Sequence, residues 1–569
     1  MTVNKKKRKK RKLKIKNTLI AAIVLLVIII GFGKITNKIM NGLSYNNYYI
    51  AADTNKITLY EYDQEQDTMS EIDTIYRGAK VKSNNKIIKN ADINFVKIEV
   101  EDQEYYIKEH FLTEKENEIV LEKTKYVRTS VTVYKNEKES KIASFIKKGN
   151  ELEILDYDYL DKEGNVNMYK IKQDNIEGWV HGKYLVDTSQ EALANYNENG
   201  TYDIHKDRKY SGRELYGGKA STLDYYPYEK VEFKNNPLLK TAHTMYLNGR
   251  KTTIDNVDEY IKIATSSGAN AMVVDIKDGF LAYPSEIAKE YTITGYESAK
   301  NQSTLESYQK AIKKIKDAGI YAIGRIVVFN DYHYGLDNKE DCIESDVSSR
   351  LWPSAYSRRA WEYNVELAKE AVDLMGFNEI QFDYVRFPED AYKMSQSKNT
   401  DFKNKYNEEK AETIQNFLMY ATDELHKKEV YLSVDVFGEC SNTYVTAYGQ
   451  YWPAISNIVD VVSSMPYTDH FDRNNSTYWT NPYKTVNNWA KTTAKRQAEI
   501  PTPGVARTWI TAYDTPHWNP TVVYDASKIS DQAQALVDAG LTGGFITWNA
   551  LSSINKYNQI KDAFSKNYK

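Results

Sequence analysis

The chain has 569 residues, 41% hydrophobic and 27% charged, a globular composition too long for one ordinary domain and suited to two to four. Its net charge of −2 hides an asymmetry: residues 1–16, MTVNKKKRKKRKLKIK, carry ten Lys and Arg and no acid, leaving 66 basic and 78 acidic residues after them, a balance of −12. That acidic remainder excludes a polyanion-binding body, so no nucleic-acid partner is expected, and two cysteines, Cys342 and Cys440, are too few to staple an exported fold.

In chain order, the basic tail is followed by TLIAAIVLLVIIIGFG, residues 18–33, which carries no charge. Lys and Arg before an apolar stretch hold that end in the cytoplasm. Residues 17–34 therefore read as a transmembrane anchor, with a single pass through the cell membrane and all later residues outside. Gly31-Phe32-Gly33 is a small-x-small site, so a cleaved signal peptide is the alternative. Cys342 and Cys440 can pair or stay free.

Two related stretches follow a short stalk. In 125–187, the runs SVTVY, LEIL, MYKIK and GWVHGKYL alternate apolar and polar residues between turn-rich segments, as in a small barrel of five or six strands. Residues 47–114 end in FVKIEVEDQEYYIKEHFL, which lies over MYKIKQDNIEGWVHGKYL with Tyr106 in place of Trp179. Residues 188–238 are polar and read as a linker or irregular extension.

From residue 239 to 566 the pattern becomes strand then helix, repeated. Expected strands are 242–247, 271–277, 321–329, 379–384, 430–437, 459–465, 505–510 and 543–548. The helix STLESYQKAIKKIKDAG sets Leu305, Tyr308, Ile312 and Ile315 on one face and ends at Gly319; SKISDQAQALVDAG ends at Gly540. Eight such units predict a (β/α)8 TIM-type barrel in the α/β class. An open doubly wound sheet would carry a glycine-rich phosphate loop after an early strand, and none is present.

Chemistry in such a barrel sits at the carboxyl ends of the strands. Those ends offer Asp275 and Lys277, then Arg325 with Asp331, Gln381 and Asp383 with Arg386, Ser433 and Asp435 with Glu439, Ser463 and Ser464 with Tyr467 and His470, Arg507 and Trp509, and Trp548 with Asn549. Alternation sets Asp275 with Lys277, Gln381 with Asp383, and Ser433 with Asp435 on one side of each strand. Asp383 can simply pair with Arg386 or Arg325, but carboxylates on three successive strand ends beside aromatic walls point to glycoside hydrolysis, in which one carboxyl group protonates the leaving oxygen and another attacks the anomeric carbon or activates water. Asp383 and Asp435 are the catalytic candidates, with Glu439 as the alternative acid. Asp275, Lys277, Arg325, Asp331, Arg386, Tyr467, His470, Trp548 and Asn549 are the substrate-binding candidates. For Trp509, core packing is the plainer reading. The eight histidines are scattered and no H-E-x-x-H or G-x-S-x-G motif occurs, so neither a metal nor another cofactor is expected.

The blocks VVDIKDG, YAIGRIVVFND, GFNEIQFDYVRFPED, LSVDVFG, GQYWPAISNIVDVVSSMPYTDHF and GFITWNA together resemble the putative glycosyl hydrolase domain of exported Gram-positive proteins, grouped with alpha-amylase-like barrels. The resemblance covers roughly residues 240–565, and it implies a (β/α)8 hydrolase with its nucleophile on the fourth strand, where Asp383 stands. The chain departs from that pattern at Gln381, where the amylase-like enzymes carry arginine, and on the fifth strand, where Asp435 stands in place of glutamate. Residues 47–114 and 125–187 are similar to bacterial SH3-like domains, the first a degenerate copy, which implies spacers or peptidoglycan-binding modules. The expected function is a membrane-anchored extracellular glycoside hydrolase on a cell-surface or cell-wall polysaccharide. The alternative is a catalytically inactive glycan- or wall-binding scaffold.

Overall fold

The computed structural model describes residues 45–569. The expected basic tail 1–16 and anchor 17–34 lie outside the described residues; among those described, no helix is long and apolar enough to cross a membrane. The chain divides into two compact units, one of residues up to 127 with 149–192, the other of 128–148 with 193–569.

The first unit holds antiparallel strands. Residues 46–113 form a seven-stranded sheet around a core of Ile50, Ile57, Leu59, Ile98 and Ile107. Thr124–Val127, Glu151–Tyr157, Met168–Gln173, Ile176–His181 and Leu185–Val186 form a second antiparallel set. A buried ion pair is shared between them: Arg77 Nη1 donates to Glu122 at 2.6 Å, and the Tyr169 hydroxyl donates to the same carboxylate at 2.9 Å.

The second unit is built on nine parallel strand segments, numbered here within the barrel: β1 (Ala242–Leu247), β2 (Ala271–Lys277), β3 (Tyr321–Val327), β4 (Glu379–Asp383), β5 (Tyr431–Phe437), β6 (Val461–Met465), β7 (Val505–Ala506), β8 (Thr508–Thr511) and β9 (Gly544–Trp548). Each of β1 to β6 pairs in parallel with the next, β8 pairs with β9, and β9 returns to β1, so β7 and β8 are the two ends of the sheet. The expected strand 505–510 is thus interrupted at Arg507, whose amide still donates to Val462 O at 2.9 Å. The result is a nearly closed parallel barrel. Its helical layer includes α1 (Val257–Ser267), α2 (Leu305–Asp317), α3 (Arg358–Met375), α4 (Lys410–His426), α5 (Pro482–Gln497) and α6 (Ala526–Asp538). After α2 and α6 the chain turns at Gly319 (φ +74°) and Gly540 (φ +88°), the left-handed conformation that only glycine takes without strain.

Residues 128–148 and 193–238 are part of this unit. The hairpin Val131–Tyr134/Ile142–Ile146 sits on α4, where the Tyr420 hydroxyl donates to Ser140 O at 2.7 Å and Ser130 Oγ donates to Glu412 at 2.9 Å. The polar composition of 193–238 conceals real burial: Ala220, Leu223 and Tyr225 form a core with Ala411, Val445, Tyr451 and Ala454. His205 is fully enclosed, stacked 4.0 Å from Tyr225, with Nδ1 2.7 Å from the Tyr451 hydroxyl.

Burial, aided by Arg208 and Arg496, lowers the His205 pKa to about 3. The unfolded imidazole titrates near 6.5, so between about 3 and 6.5 the unfolded chain binds the extra proton and stability falls as pH falls. Urea unfolding of the barrel unit across that window should show the loss, and His205→Gln should flatten its slope; an unchanged slope in the variant would place the acid sensitivity elsewhere.

Candidate active site

Along β4 the side chains alternate. Phe382 faces the helices, its ring 5.7 Å from Phe417 of α4. Glu379, Gln381 and Asp383 occupy three successive depths of the barrel interior. At the entry end Glu379 accepts from Arg507 Nη1 at 2.8 Å, with neither side chain exposed. Arg507 therefore closes the floor and is absent from the rim where strand-end reading set it, because β8 begins only after it. Midway, the Gln381 amide donates to Ser463 Oγ at 3.1 Å. The exit-end layer is ionic.

Its centre is Arg325 of β3. Nη1 donates to Asp275 Oδ1 at 2.7 Å and to Asp278 at 3.3 Å, Nη2 donates to Asp383 Oδ2 at 2.5 Å, and Nε lies 3.5 Å from Asp435 Oδ2. Asp383 Oδ1 accepts the Tyr384 amide at 2.6 Å, and Asp435 Oδ1 accepts the Trp509 indole N–H at 2.7 Å. Asp435 Oδ2 is buried with no hydrogen-bond partner among the described residues. The layer reaches solvent through Asp278, whose side chain is 39% exposed, while those of Asp383 and Asp435 are 6% and 0% exposed.

Aromatic rings wall this layer. Trp548 lies 4.7 Å from Tyr246, 5.5 Å from Trp509 and 6.2 Å from Tyr467, and the Arg325 guanidinium is 5.8 Å from the Trp548 and Tyr246 rings. Tyr384, directly after Asp383, holds φ +55°, a left-handed conformation strained for a tyrosine and of the kind that gathers at functional sites.

The environment splits the carboxyl groups. Burial pushes Asp435 well above the usual carboxylate range, and the charge of Asp383 adds to this against the opposing pull of Arg325. Burial also raises Asp275 to about 7, with Arg325 pulling down and Asp278 pushing up. A neutral carboxylic acid beside an arginine-bound carboxylate is what proton donation and nucleophilic attack at one bond require.

The structure brings Asp275, Arg325, Asp383, Asp435, Tyr467 and Trp548 together. Lys277 is not with Asp275: the β2–β3 register shifts between them, and the extra residue turns Lys277 toward α3, where it donates to Asp331 at 2.6 Å and Asn364 at 2.8 Å against the Tyr363 ring. Asp331 is engaged there and caps the Tyr334 amide. Arg386 pairs with Glu389 at 2.6 Å among Trp352, Tyr384 and Phe437, so Arg325 is the cation on Asp383. Asn549 ties down the loop after β9 through Ser552 and Ser553. Glu439 accepts from the Tyr444 and Tyr448 hydroxyls at 3.0 and 2.8 Å, and with His470 it lines an adjoining cavity of about 900 Å³. Sequence reasoning passed over Tyr246, whose hydroxyl donates to Asp275 Oδ2, and Trp509, packed in the core as expected, also holds Asp435 through its indole N–H. The alternation of Thr244 with Tyr246 was the available signal for the first. Among the described residues no group of three or more His, Cys, Asp or Glu is arranged to hold a metal ion.

A parallel barrel with this carboxylate layer is the arrangement of a glycan-acting hydrolase. The chain belongs to the family described as "Putative glycosyl hydrolase domain", which matches residues 244–557. Among solved structures it is similar to a hypothetical protein from Ruminiclostridium thermocellum, at 32% identity over 34% of this chain and 97% of that one, with a TM-score of 0.28. It is similar to the PgaB (BpsB) glycoside hydrolase domain from Bordetella bronchiseptica, at 12% identity over 57% of this chain and 99% of that one, TM-score 0.40. The Bacillus megaterium spore cortex-lytic enzyme SleL matches at 12% identity over 58% and 76%, TM-score 0.36. Comparison with curated proteins gave no match.

Proposed function

We propose that the second unit is a (β/α)8 glycoside hydrolase in which Asp435 is the general acid and Asp383 the nucleophile or base. The observation that carries the reading is the shared guanidinium: Arg325 contacts both carboxyl groups, at 2.5 and 3.5 Å, and so sets two acids side by side at the exit ends of neighbouring strands, as a glycosidase pair requires. Asp435, held protonated by burial, passes its proton from the unpartnered Oδ2 to the glycosidic oxygen as the C–O bond breaks. Asp383 either bonds to the anomeric carbon or takes a proton from the attacking water. Tyr467 and Trp548 supply faces for sugar rings. Arg325 and the Tyr384 amide aim Asp383, and Asp275 with Tyr246 fixes the other side of the guanidinium.

We further propose that residues 17–34 anchor the protein in the cell membrane, that the two antiparallel sheets are SH3-like modules, and that the barrel acts outside on a cell-surface or wall polysaccharide. The composition of residues 1–33 supports the topology, and the strand patterning supports the modules. A scaffold without catalysis is favoured by one feature, the burial of Asp383 with both of its oxygens engaged.

Asp383→Asn should lower turnover by several orders of magnitude on a wall glycan that the parent cleaves, with folding intact. Asp435→Asn should be largely rescued by substrates with an activated leaving group, because they need little protonation. Full activity in both variants, measured by reducing-end release, would remove this layer as the active site; binding without cleavage by the parent, unaffected by Asp383→Asn, would establish the scaffold. For the topology, protease added to intact cells should digest the barrel, and a barrel that resists would overturn the outward orientation.

A further inference from the structure

We propose that the cavity beside the carboxylate layer is a cleft for the glycan strand continuing past the cleavage point, so that the protein cuts within an uncharged polysaccharide instead of trimming its ends. This rests on the hydrolase reading above. The cavity, about 900 Å³, lies between the segments that follow β5 and β6 and the flank of α5, within the roughly 300–1,000 Å³ usual for ligand clefts. Tyr467 joins it to the barrel mouth: the same ring stacks on Trp548 over Arg325 and lines the cavity wall.

The lining has the chemistry of a sugar subsite. Phe471 is 40% exposed and stacks face to face on Tyr478, with centroids 5.4 Å apart and planes 9° from parallel. An aromatic plate held open to solvent by a second ring serves the apolar face of a pyranose, and its rigidity keeps the ordering cost of binding low. The side chains of Asn442, Asn488 and Thr492 line the same cavity and offer both donors and acceptors. Glu439 and Lys484 bring one charge of each sign, and Glu439 is already engaged by two tyrosine hydroxyls. A strongly anionic or cationic polymer would meet no matching field there, and a neutral glycan needs none. An enzyme confined to chain ends needs no aromatic plate outside the mouth.

The test uses the whole ectodomain and a panel of uncharged glycans, chitin- and cellulose-derived oligomers, each as a long oligomer and as its disaccharide. Binding is measured by calorimetry. The parent should bind the long form of at least one glycan roughly tenfold or more tighter than its disaccharide, about 1.4 kcal/mol. Phe471→Ala with Tyr478→Ala should bring that ratio close to one, and Asn488→Ala alone should lower it while leaving the aromatic plate in place. Circular dichroism and unfolding midpoints confirm that the variants fold. A length preference that survives both variants, or a parent showing none across the panel, overturns the cleft. Asp383→Asn separates the two readings: an inactive Asp383→Asn with an undiminished ratio in the cleft variants leaves the hydrolase standing and removes the cleft, whereas full activity in Asp383→Asn with a collapsed ratio does the reverse.

Discussion

One guanidinium organises the exit end of the barrel. Arg325 is buried and meets four carboxylates, Asp275, Asp278, Asp383 and Asp435. Unpaired, any of these charges would be expensive in an enclosed site. With one cation among four acids, compensation is incomplete, and burial with the nearby Asp383 pushes Asp435 well above the usual carboxylate range. Asp383, hydrogen-bonded to the guanidinium, and Asp435, buried beside it, sit on neighbouring strands. Replacing the arginine would cost folding as well as function, because breaking a buried ion pair from one side is worth about 3–5 kcal/mol.

That layer depends on the geometry beneath it. The Glu379–Arg507 pair at the floor and the Gln381–Ser463 contact above it use the same strand alternation that delivers Asp383 to the exit end. Phe382 locks the strand's other face against α4. The surrounding shell extends beyond the repeating strand–helix units. Residues 193–238 thread buried side chains into α4 and the helix Trp452–Ser456, with Lys230 donating to Asn457 O and Val459 O at 2.9 and 2.8 Å. Rigid support of this kind allows Tyr384 to hold a strained backbone beside Asp383.

Much of this was legible in the sequence where period two governs. The strands carrying Asp275, Arg325, Asp383, Asp435 and Trp548 are marked by alternation and by glycine-terminated helices, and their polar ends converge as expected. The misplacements have local causes. A one-residue register shift in β2 reversed Lys277, a feature that leaves no mark on hydropathy. Arg507 sits at the floor because its strand begins later than its apolar run. Residues 188–238 read as a linker or an irregular extension, and the sequence does not choose between them because Leu223, Tyr225 and His205 are spaced without period among polar neighbours, while their burial comes from tertiary packing. Glu439 and His470 sit in single 3-10 turns after β5 and β6, too short for any periodicity to mark.

The proposed chemistry turns on a protonated Asp435 beside the Arg325-bound Asp383, and burial pushes Asp435 in that direction. Infrared difference spectroscopy of the protein reads this directly through the carbonyl stretch of a protonated carboxyl group. The account expects such a band at neutral pH, its loss in Asp435→Asn, and its persistence in Asp383→Asn at a shifted titration point. A spectrum in which Asp435→Asn removes no carboxylic-acid band at neutral pH would contradict it.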